Sequence, residues 1–169
     1  MARNAYAWVS TNSSWALRPW ANNHAGGNVT VLGATAAPVG AAICRSGATT
    51  GFRCGTVAAT NVGINYGQGM VNGLVRSTAC AGRGDSGGAF ITAAGQAQGV
   101  TSGGVLPAGA NDNCGEATPV TYHQPIQPIL LPVQRRTAHV RPGAGRAVWP
   151  ATGADILSAC NMRDCTLRV

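Results

Sequence analysis

Residues 82–88 of this chain read Gly-Arg-Gly-Asp-Ser-Gly-Gly, with a serine set between glycines. A serine hydroxyl is a weak nucleophile unless a base removes its proton and hydrogen-bond donors receive the oxyanion that its attack creates. The glycines around Ser86 let the backbone turn so that the N–H groups of Gly84 and Ser86 point at one spot. The motif therefore predicts a serine nucleophile, although a glycine-rich hairpin loop would have the same composition.

Three other motifs accompany this loop. Residues 43–51 read Ile-Cys-Arg-Ser-Gly-Ala-Thr-Thr-Gly, residues 54–57 read Cys-Gly-Thr-Val, and residues 99–104 read Gly-Val-Thr-Ser-Gly-Gly. Together with residues 80–88, and in this order, they resemble the bacterial branch of the chymotrypsin-like serine proteases, the α-lytic protease and streptogrisin group. The resemblance runs from about Asn4 to Leu130.

The resemblance implies a role for each residue of the loop. Ser86 matches the nucleophile that forms an acyl-enzyme with a polypeptide substrate, and the N–H groups of Gly84 and Ser86 match the oxyanion hole. Asp85 would be buried behind the loop, where an unpaired carboxylate is costly, and its partner in this family matches Arg45.

The resemblance also places a substrate cleft beside the loop. The segment Ser102-Gly103-Gly104 matches the strand edge that pairs with an extended substrate backbone. Ala81 and Thr101 fill little volume in the primary pocket, and neither brings an acid that would neutralise a basic side chain. We therefore expect a preference for a large apolar residue, such as Phe, Tyr, Leu or Met, at the position before the cleaved bond.

The cysteines indicate an oxidising compartment. They are Cys44, Cys54, Cys80, Cys114, Cys160 and Cys165. The first four are spaced for short loops rather than as paired metal-binding motifs, and we predict neither a metal site nor a cofactor. The resemblance implies disulfides Cys44–Cys54 and Cys80–Cys114, and it implies secretion, although no signal peptide opens the chain. Cys160 and Cys165 are expected to be free thiols or a local bridge.

Short apolar and β-branched runs, separated by Gly, Asn and Ser-Gly breaks, predict an all-β fold. Their even spacing is typical of a barrel or sandwich, and the resemblance implies the antiparallel Greek-key β-barrel of the trypsin-like fold. Strands are expected at 28–32, 40–44, 52–58, 61–66, 70–76, 89–92, 97–101 and 118–122.

A domain boundary is predicted near residue 131. Residues 1–131 carry the resemblance to a protease domain. Residues 132–169 hold six of the twelve Arg, spread among Pro and Gly with little periodicity. We interpret this part as a basic, unstructured tail without an assignable role, either an out-of-frame translation or an appended segment.

One departure from the family concerns the catalytic base and its orienting aspartate, which precede the nucleophile in these enzymes. The family's Asn-Asp-x-Ala-Trp-Val is matched by residues 4–9, in which Ala5 replaces the aspartate. The segment with the histidine would lie upstream of Met1. We therefore expect a complete second barrel, a largely missing first barrel, and a truncated, inactive chain that needs the first barrel or a pro-region as a partner.

Three histidines remain as candidates for the base. His24 is expected to be a solvated turn residue, and His123 a surface or groove residue near the last strand. His139 follows Thr137-Ala138 and echoes the pattern around the family's base, but it lies after the nucleophile. None of them is expected to complete a catalytic triad.

Composition argues against other classes of function. Charged residues make up 10% of the chain and hydrophobic residues 45%, which excludes charge-driven disorder. The net charge of +7 comes from scattered arginines without interleaved aromatics, so no nucleic-acid partner is expected. The chain has no run of about eighteen consecutive apolar residues, so no membrane span is predicted. The alternative to a serine endopeptidase is a non-catalytic pseudoprotease or peptide-binding module.

Overall fold

The computed structural model describes residues 6–7, 14–67 and 69–131. The predictions for Ala5, His139, Cys160, Cys165 and the tail lie outside these residues. Eight strands are formed: β1 (Trp20–Asn22), β2 (Asn28–Thr30), β3 (Ala42–Gly47), β4 (Gly51–Asn65), β5 (Met70–Ser77), β6 (Ala89–Ile91), β7 (Ala97–Val105) and β8 (Val120–Pro125). Residues 127–131 add a single turn of helix.

Strands β3 to β8 close into an antiparallel barrel in the order β3-β4-β5-β8-β7-β6. The last strand, β8, lies between β5 and β7, and β6 closes the barrel against β3. Strands β1 and β2 form a separate two-stranded sheet. The prediction of an all-β protein with an antiparallel barrel is confirmed.

Strand β4 differs from the sequence-based expectation. The segments 52–58 and 61–66, predicted as two strands, form one strand of 15 residues. The pairing of β4 with β5 shifts register at three points, and Asn61 has a positive φ of 56°. The strand therefore continues through the break that the sequence pattern suggested. β-Bulges of this kind bend and twist a strand without ending it. Strand β1, only three residues long, was not predicted.

The two faces of the barrel wall bury separate apolar clusters. The cluster within the barrel consists of Ile43, Val57, Ala79 and Phe90. The cluster between the barrel, the β1–β2 sheet and the helical turn consists of Ala21, Val31, Ile91, Ala97, Ile126 and Ile129. Phe90 and Ile91 are neighbours in β6 and contribute to different clusters, because successive side chains of a strand point to opposite faces.

The expectation that His123 is a surface or groove residue is wrong. Thr121 and His123 occupy buried alternate positions of β8, and only 2% of His123 is exposed. Its ring stacks on Phe90 with 4.2 Å between centroids. Burial lowers the pKa of His123 to about 3, so the imidazole is neutral at physiological pH.

This buried histidine predicts acid sensitivity. In the unfolded chain a histidine takes up a proton near pH 6.5, whereas folded His123 does so only near pH 3, so the unfolded state binds more protons between these values. The contribution to stability is complete above pH 6.5 and is lost as the pH falls toward 3. Between pH 6 and 4, we expect the unfolding free energy of the wild type to fall by about 1 kcal/mol per pH unit. In His123→Phe this fall should be absent.

The measurement is urea unfolding of both proteins at several pH values. His24→Gln is the control, because it removes an exposed histidine. Parallel stability curves for wild type and His123→Phe would contradict the prediction.

Candidate active site

Residues 80–88 connect β5 to β6, and their first end is held in two ways. The disulfide Cys80–Cys114 joins the start of the loop to the segment before β8. The backbone N–H of Ala81 donates to Asn113 Oδ1 at 2.8 Å, and Asn113 Nδ2 donates in turn to the carbonyl of Val105 at 3.0 Å. Sequence reasoning missed Asn113, because an asparagine within an Asn-Asp-Asn run carries no signal that it is buried.

The second end of the loop is hydrogen-bonded to β7. The N–H of Gly87 donates to the carbonyl of Thr101, and the N–H of Thr101 donates to the carbonyl of Gly88, both at 2.9 Å. Ser86 between these anchors is exposed. The candidate nucleophile is therefore presented to solvent by a loop that is fixed on both sides.

The backbone before Ser86 can adopt its conformation only with glycine at position 84. Gly84 has a φ of +93°, and a Cβ atom there would lie 2.5 Å from Thr49 Oγ1. Within the described part of the chain, the N–H groups of Gly84 and Ser86 donate no backbone hydrogen bond. They remain available as the donor pair of an oxyanion hole.

Asp85 is 1% exposed and accepts hydrogen bonds on both carboxylate oxygens. Oδ1 accepts from the N–H groups of Thr49 at 2.9 Å and Thr50 at 3.1 Å. Oδ2 accepts from the Thr50 hydroxyl at 2.8 Å and from the N–H of Gly82 at 2.7 Å. Arg45 Nη2 lies 3.2 Å from Oδ2 in a salt bridge whose side chains are both fully buried. The expected pair is formed, with Thr50 as an unpredicted third member.

The electrostatics of the pair follow from burial and hydrogen bonding. Burial alone would raise the pKa of Asp85, but the hydrogen bonds from Gly82, Thr50 and Thr49 outweigh it and bring the pKa below its ordinary value. Burial lowers the pKa of Arg45, and the charge of Asp85 opposes this shift. The guanidinium also donates from Nε to the carbonyl of Cys80 at 2.9 Å, so it supports the loop at two points.

One edge of β7 lies open beside the loop. Strand β8 pairs with β7 along 99–105, whereas β6 pairs with β7 only as far as Val100. Beyond the contacts of Thr101 with the loop, no described strand pairs with the second edge of Ser102-Gly103-Gly104. This is the geometry that adds an extended peptide as a further strand.

Tyr66 forms a wall beside this edge and was not predicted. Its hydroxyl lies 3.1 Å from Ser102 Oγ, and its ring lies 2.9 Å from where a Cβ of residue 103 would be. A side chain at position 103 would therefore displace the Tyr66 ring. The sequence around Tyr66 indicates the end of a hairpin. It holds no signal for the contact of Tyr66 with Ser102, because the two residues are 36 positions apart in the chain.

The residues expected in the primary pocket are buried at the two ends of the loop. Ala81 is 4% exposed and Thr101 is 5% exposed. The Thr101 hydroxyl donates to the carbonyl of Gly88 at 3.0 Å, so this hydroxyl is already hydrogen-bonded within the protein. Among the described residues, no acid hydrogen-bonds to either side chain.

The described histidines do not contact the nucleophile. His24 lies in the β1–β2 turn with a φ of +55°, is exposed, and has its Nε2 3.3 Å from Ser46 Oγ. His123 is buried against Phe90. Within residues 6–7, 14–67 and 69–131, no hydrogen bond joins a base to Ser86.

No group of three or more His, Cys, Asp or Glu side chains that could hold a metal ion occurs in the described residues. In the same part of the chain, no helix is long and apolar enough to cross a bilayer.

The structure combines a closed antiparallel barrel with an exposed serine in a glycine-rich loop. The adjoining aspartate is buried against an arginine. Together these features define a serine-peptidase type of domain. The profile of the family described as Trypsin matches residues 3–141. The chain belongs to the trypsin family.

Named relatives are bacterial serine proteases. The chain is 48% identical over 124 residues to streptogrisin-C of Streptomyces griseus, which covers 73% of this chain and 25% of that protein. The crystal structure of Cellulomonas bogoriensis chymotrypsin is 48% identical, with a TM-score of 0.66 over 73% of this chain and 63% of that one. A glutamic acid specific serine protease is 34% identical, with a TM-score of 0.65. The chain thus spans a quarter of streptogrisin-C and under two thirds of the two solved structures.

A double-mutant cycle tests the coupling of the Arg45–Asp85 pair to the loop. Arg45→Met leaves a buried carboxylate without its counter-charge and should cost about 3–5 kcal/mol of unfolding free energy. The double variant Arg45→Met/Asp85→Asn should lose less than the sum of the single changes, by at least about 1 kcal/mol.

The unfolding free energies are measured with urea. Arg76→Met, which removes an exposed arginine of β5, serves as the control and should be additive with Asp85→Asn. Additivity of Arg45→Met with Asp85→Asn would mean that the two groups do not interact as the structure shows.

Proposed function

We propose that this chain carries the nucleophile, oxyanion hole and substrate-binding edge of a serine endopeptidase. The observation that carries the proposal is the loop 80–88, held open by buried charges and lying beside an unpaired strand edge. Ser86 Oγ gives its proton to a base and attacks the scissile carbonyl carbon, and the N–H groups of Gly84 and Ser86 receive the oxyanion. The proton passes to the amine as the C–N bond breaks, which leaves an acyl-enzyme on Ser86. Water then hydrolyses this ester, releases the acid and restores the Ser86 hydroxyl.

The substrate binds as an added strand. Its extended backbone pairs with Ser102-Gly103-Gly104, and the ring of Tyr66 flanks it. The absence of a side chain at position 103 supports this assignment, because the space that a Cβ would need is already taken by Tyr66.

The residue before the cleaved bond is proposed to be large and apolar. Ala81 and Thr101 are small, and the Thr101 hydroxyl is already used within the protein. The glutamic acid specific relative makes glutamate the alternative. A glutamate would require a positive partner, and His123, which lies directly opposite Thr101 in the pairing of β8 with β7, is neutral and stacked on Phe90. These features favour the apolar residue.

The chain taken by itself is proposed to be a slow catalyst, because no described histidine contacts Ser86. A base would then come from a first barrel, and a first barrel or a pro-region is the proposed partner of this chain. We further propose that residues 1–131 form the protease domain with 132–169 as an appended tail, and that the protein is secreted, in keeping with its two disulfides.

A non-catalytic peptide-binding module is the second candidate. It is favoured by the combination of a formed cleft edge with a serine that no described base contacts. The two candidates share peptide binding and differ in covalent chemistry at Ser86, so they are tested separately.

The first test measures chemistry at Ser86. Serine proteases without their triad retain only about a thousand- to ten-thousand-fold acceleration over water, from the oxyanion hole and binding. We expect hydrolysis of a peptide p-nitroanilide with Phe before the cleaved bond to stay within that range. Gly84→Ala should lower it further, since the donor beside Ser86 is displaced.

Labelling with a peptidyl phosphonate, read by mass spectrometry, checks the same prediction. Ordinary protease rates, lost in Ser86→Ala, would refute the proposed slow catalysis and establish a working base. Hydrolysis no faster than the uncatalysed reaction, with no labelling of Ser86 by the phosphonate, would support the peptide-binding alternative.

The second test measures peptide binding. A tetrapeptide product that ends in Phe should bind at least about tenfold more tightly than otherwise identical peptides that end in Glu or Arg, since only the apolar side chain suits an uncharged pocket. Gly103→Ala should weaken all three by about tenfold or more, because it disturbs Tyr66 and the strand edge.

Isothermal titration calorimetry gives the dissociation constants. Gly115→Ala is the matched control, because a Cβ there meets no atom within 4 Å. Tighter binding of the Glu peptide would overturn the apolar preference, and equal binding by wild type and Gly103→Ala would overturn the proposed cleft.

A further inference from the structure

An open pocket of about 180 Å³ lies where β7 ends and β8 begins. Its walls are formed by Val105, Leu106, Pro107, Glu116, Thr118 and Val120. No residue of the loop 80–88 or of the edge Ser102-Gly103-Gly104 contributes to these walls. The pocket therefore lies beyond the cleft described so far, and it begins at the residue that directly follows the open edge of β7.

The direction of a bound substrate follows from the position of the nucleophile. The loop 80–88 is hydrogen-bonded to Thr101, so Ser86 lies at the start of the open edge Ser102-Gly103-Gly104. The substrate residues before the cleaved bond therefore extend from the start of this edge toward Val105, antiparallel to β7. The first three of them pair with the edge, and the fourth lies opposite Val105.

The backbone of Val105 points away from the open edge. The carbonyls of Val105 and of Val120, its register partner in β8, both accept from Asn113 Nδ2 at 3.0 Å. Successive residues of a strand direct their N–H and C=O groups to alternate sides, so the groups of Gly104 face the open edge. The third substrate residue therefore forms the backbone hydrogen bonds, and the fourth forms a non-hydrogen-bonded pair with Val105.

The side chain of this fourth residue lies on the same face as the side chain of Val105. Directly opposite residues share a face, and in a non-hydrogen-bonded pair their Cα atoms are only about 4.5 Å apart. Val105 is 58% exposed, and Val120 lies on the same face at its other side. A long side chain opposite Val105 can therefore pass over it and enter the pocket, whereas a short one ends at Val105.

The pocket offers one charged group to such a side chain. Glu116 is exposed, and its carboxylate forms no salt bridge or hydrogen bond with another described residue. Most of the remaining wall is apolar, which suits the methylene stem of a lysine or arginine, while the carboxylate suits its cation. The net charge of +7 on the whole chain would by itself favour an acidic peptide, so a preference for a basic one would be local.

We infer that this pocket selects a lysine or arginine as the fourth residue before the cleaved bond, with the cation paired to the Glu116 carboxylate. The inference rests on the proposed binding of substrate along β7 and adds a second selected position to it. The pair is exposed to solvent, where ion pairs contribute little, so the expected gain in affinity is about threefold.

The experiment measures the binding of acetylated tetrapeptide products to the full chain by isothermal titration calorimetry. Acetyl-Lys-Ala-Ala-Phe is compared with its norleucine analogue, which keeps the apolar stem and lacks the charge. The lysine peptide should bind about threefold more tightly. In acetyl-Ala-Lys-Ala-Phe the lysine lies opposite Gly104 and points to the other face, so this peptide should bind no better than its own norleucine analogue.

Glu116→Gln should abolish the difference between the first two peptides and leave the affinity of the norleucine peptide unchanged. Asp112→Asn is the matched control, because it removes the same charge from the same loop outside the pocket, and its side-chain oxygen can still accept from the N–H of Cys114. This control should keep the threefold difference. In about 1 M NaCl the difference should vanish in the wild type, because the Debye length falls to about 3 Å.

Equal affinity of the wild type for the lysine and norleucine peptides would overturn the inference, as would a lysine preference that survives in Glu116→Gln. If Gly103→Ala weakens the binding of both peptides in that case, the proposed cleft stands and only the selection by Glu116 is wrong. If neither peptide binds, or if Gly103→Ala leaves both affinities unchanged, the proposed substrate edge is wrong and the inference is overturned with it.

Discussion

The buried ion pair between Arg45 and Asp85 constrains the structure around it. Two charges removed from water each cost several kcal/mol unless they are paired and hydrogen-bonded, so the two side chains can be buried only together. Arg45 belongs to β3 and Asp85 to the loop 80–88, which means that the barrel wall and the loop must form as one unit. The same ion pair requires a glycine at position 47, because a Cβ there would collide with Arg45 Nη1 and Asp85 Oδ1.

The two disulfides act on either side of this pair. Cys44–Cys54 joins directly opposed residues of β3 and β4, next to Arg45. Cys80–Cys114 fixes the start of the loop that contains Asp85. Closing these links removes conformational freedom from the unfolded chain, which stabilises the folded state relative to it. The serine is thus positioned by covalent and electrostatic restraints, and little depends on the exposed side chains around it.

The interior of the barrel divides into regions with different chemistry. The Arg45–Asp85 pair lies at the loop 80–88, and the Phe90–His123 stack fills the interior next to β8. The described part of the barrel therefore has an ionic region beside the loop and an aromatic region beside β8.

The sequence by itself determined the class of the protein, its β content, and the loop 80–88 with its exposed serine and its buried Arg45–Asp85 pair. These features depend on short-range requirements, such as a glycine at a left-handed φ before Ser86, that a local motif expresses directly. The burial of His123, the contact of Tyr66 with Gly103 and the continuity of β4 were decided only by the tertiary structure. Each depends on which strands pair and in what register. No local pattern reveals that β8 inserts between β5 and β7 and directs the His123 side chain into the barrel.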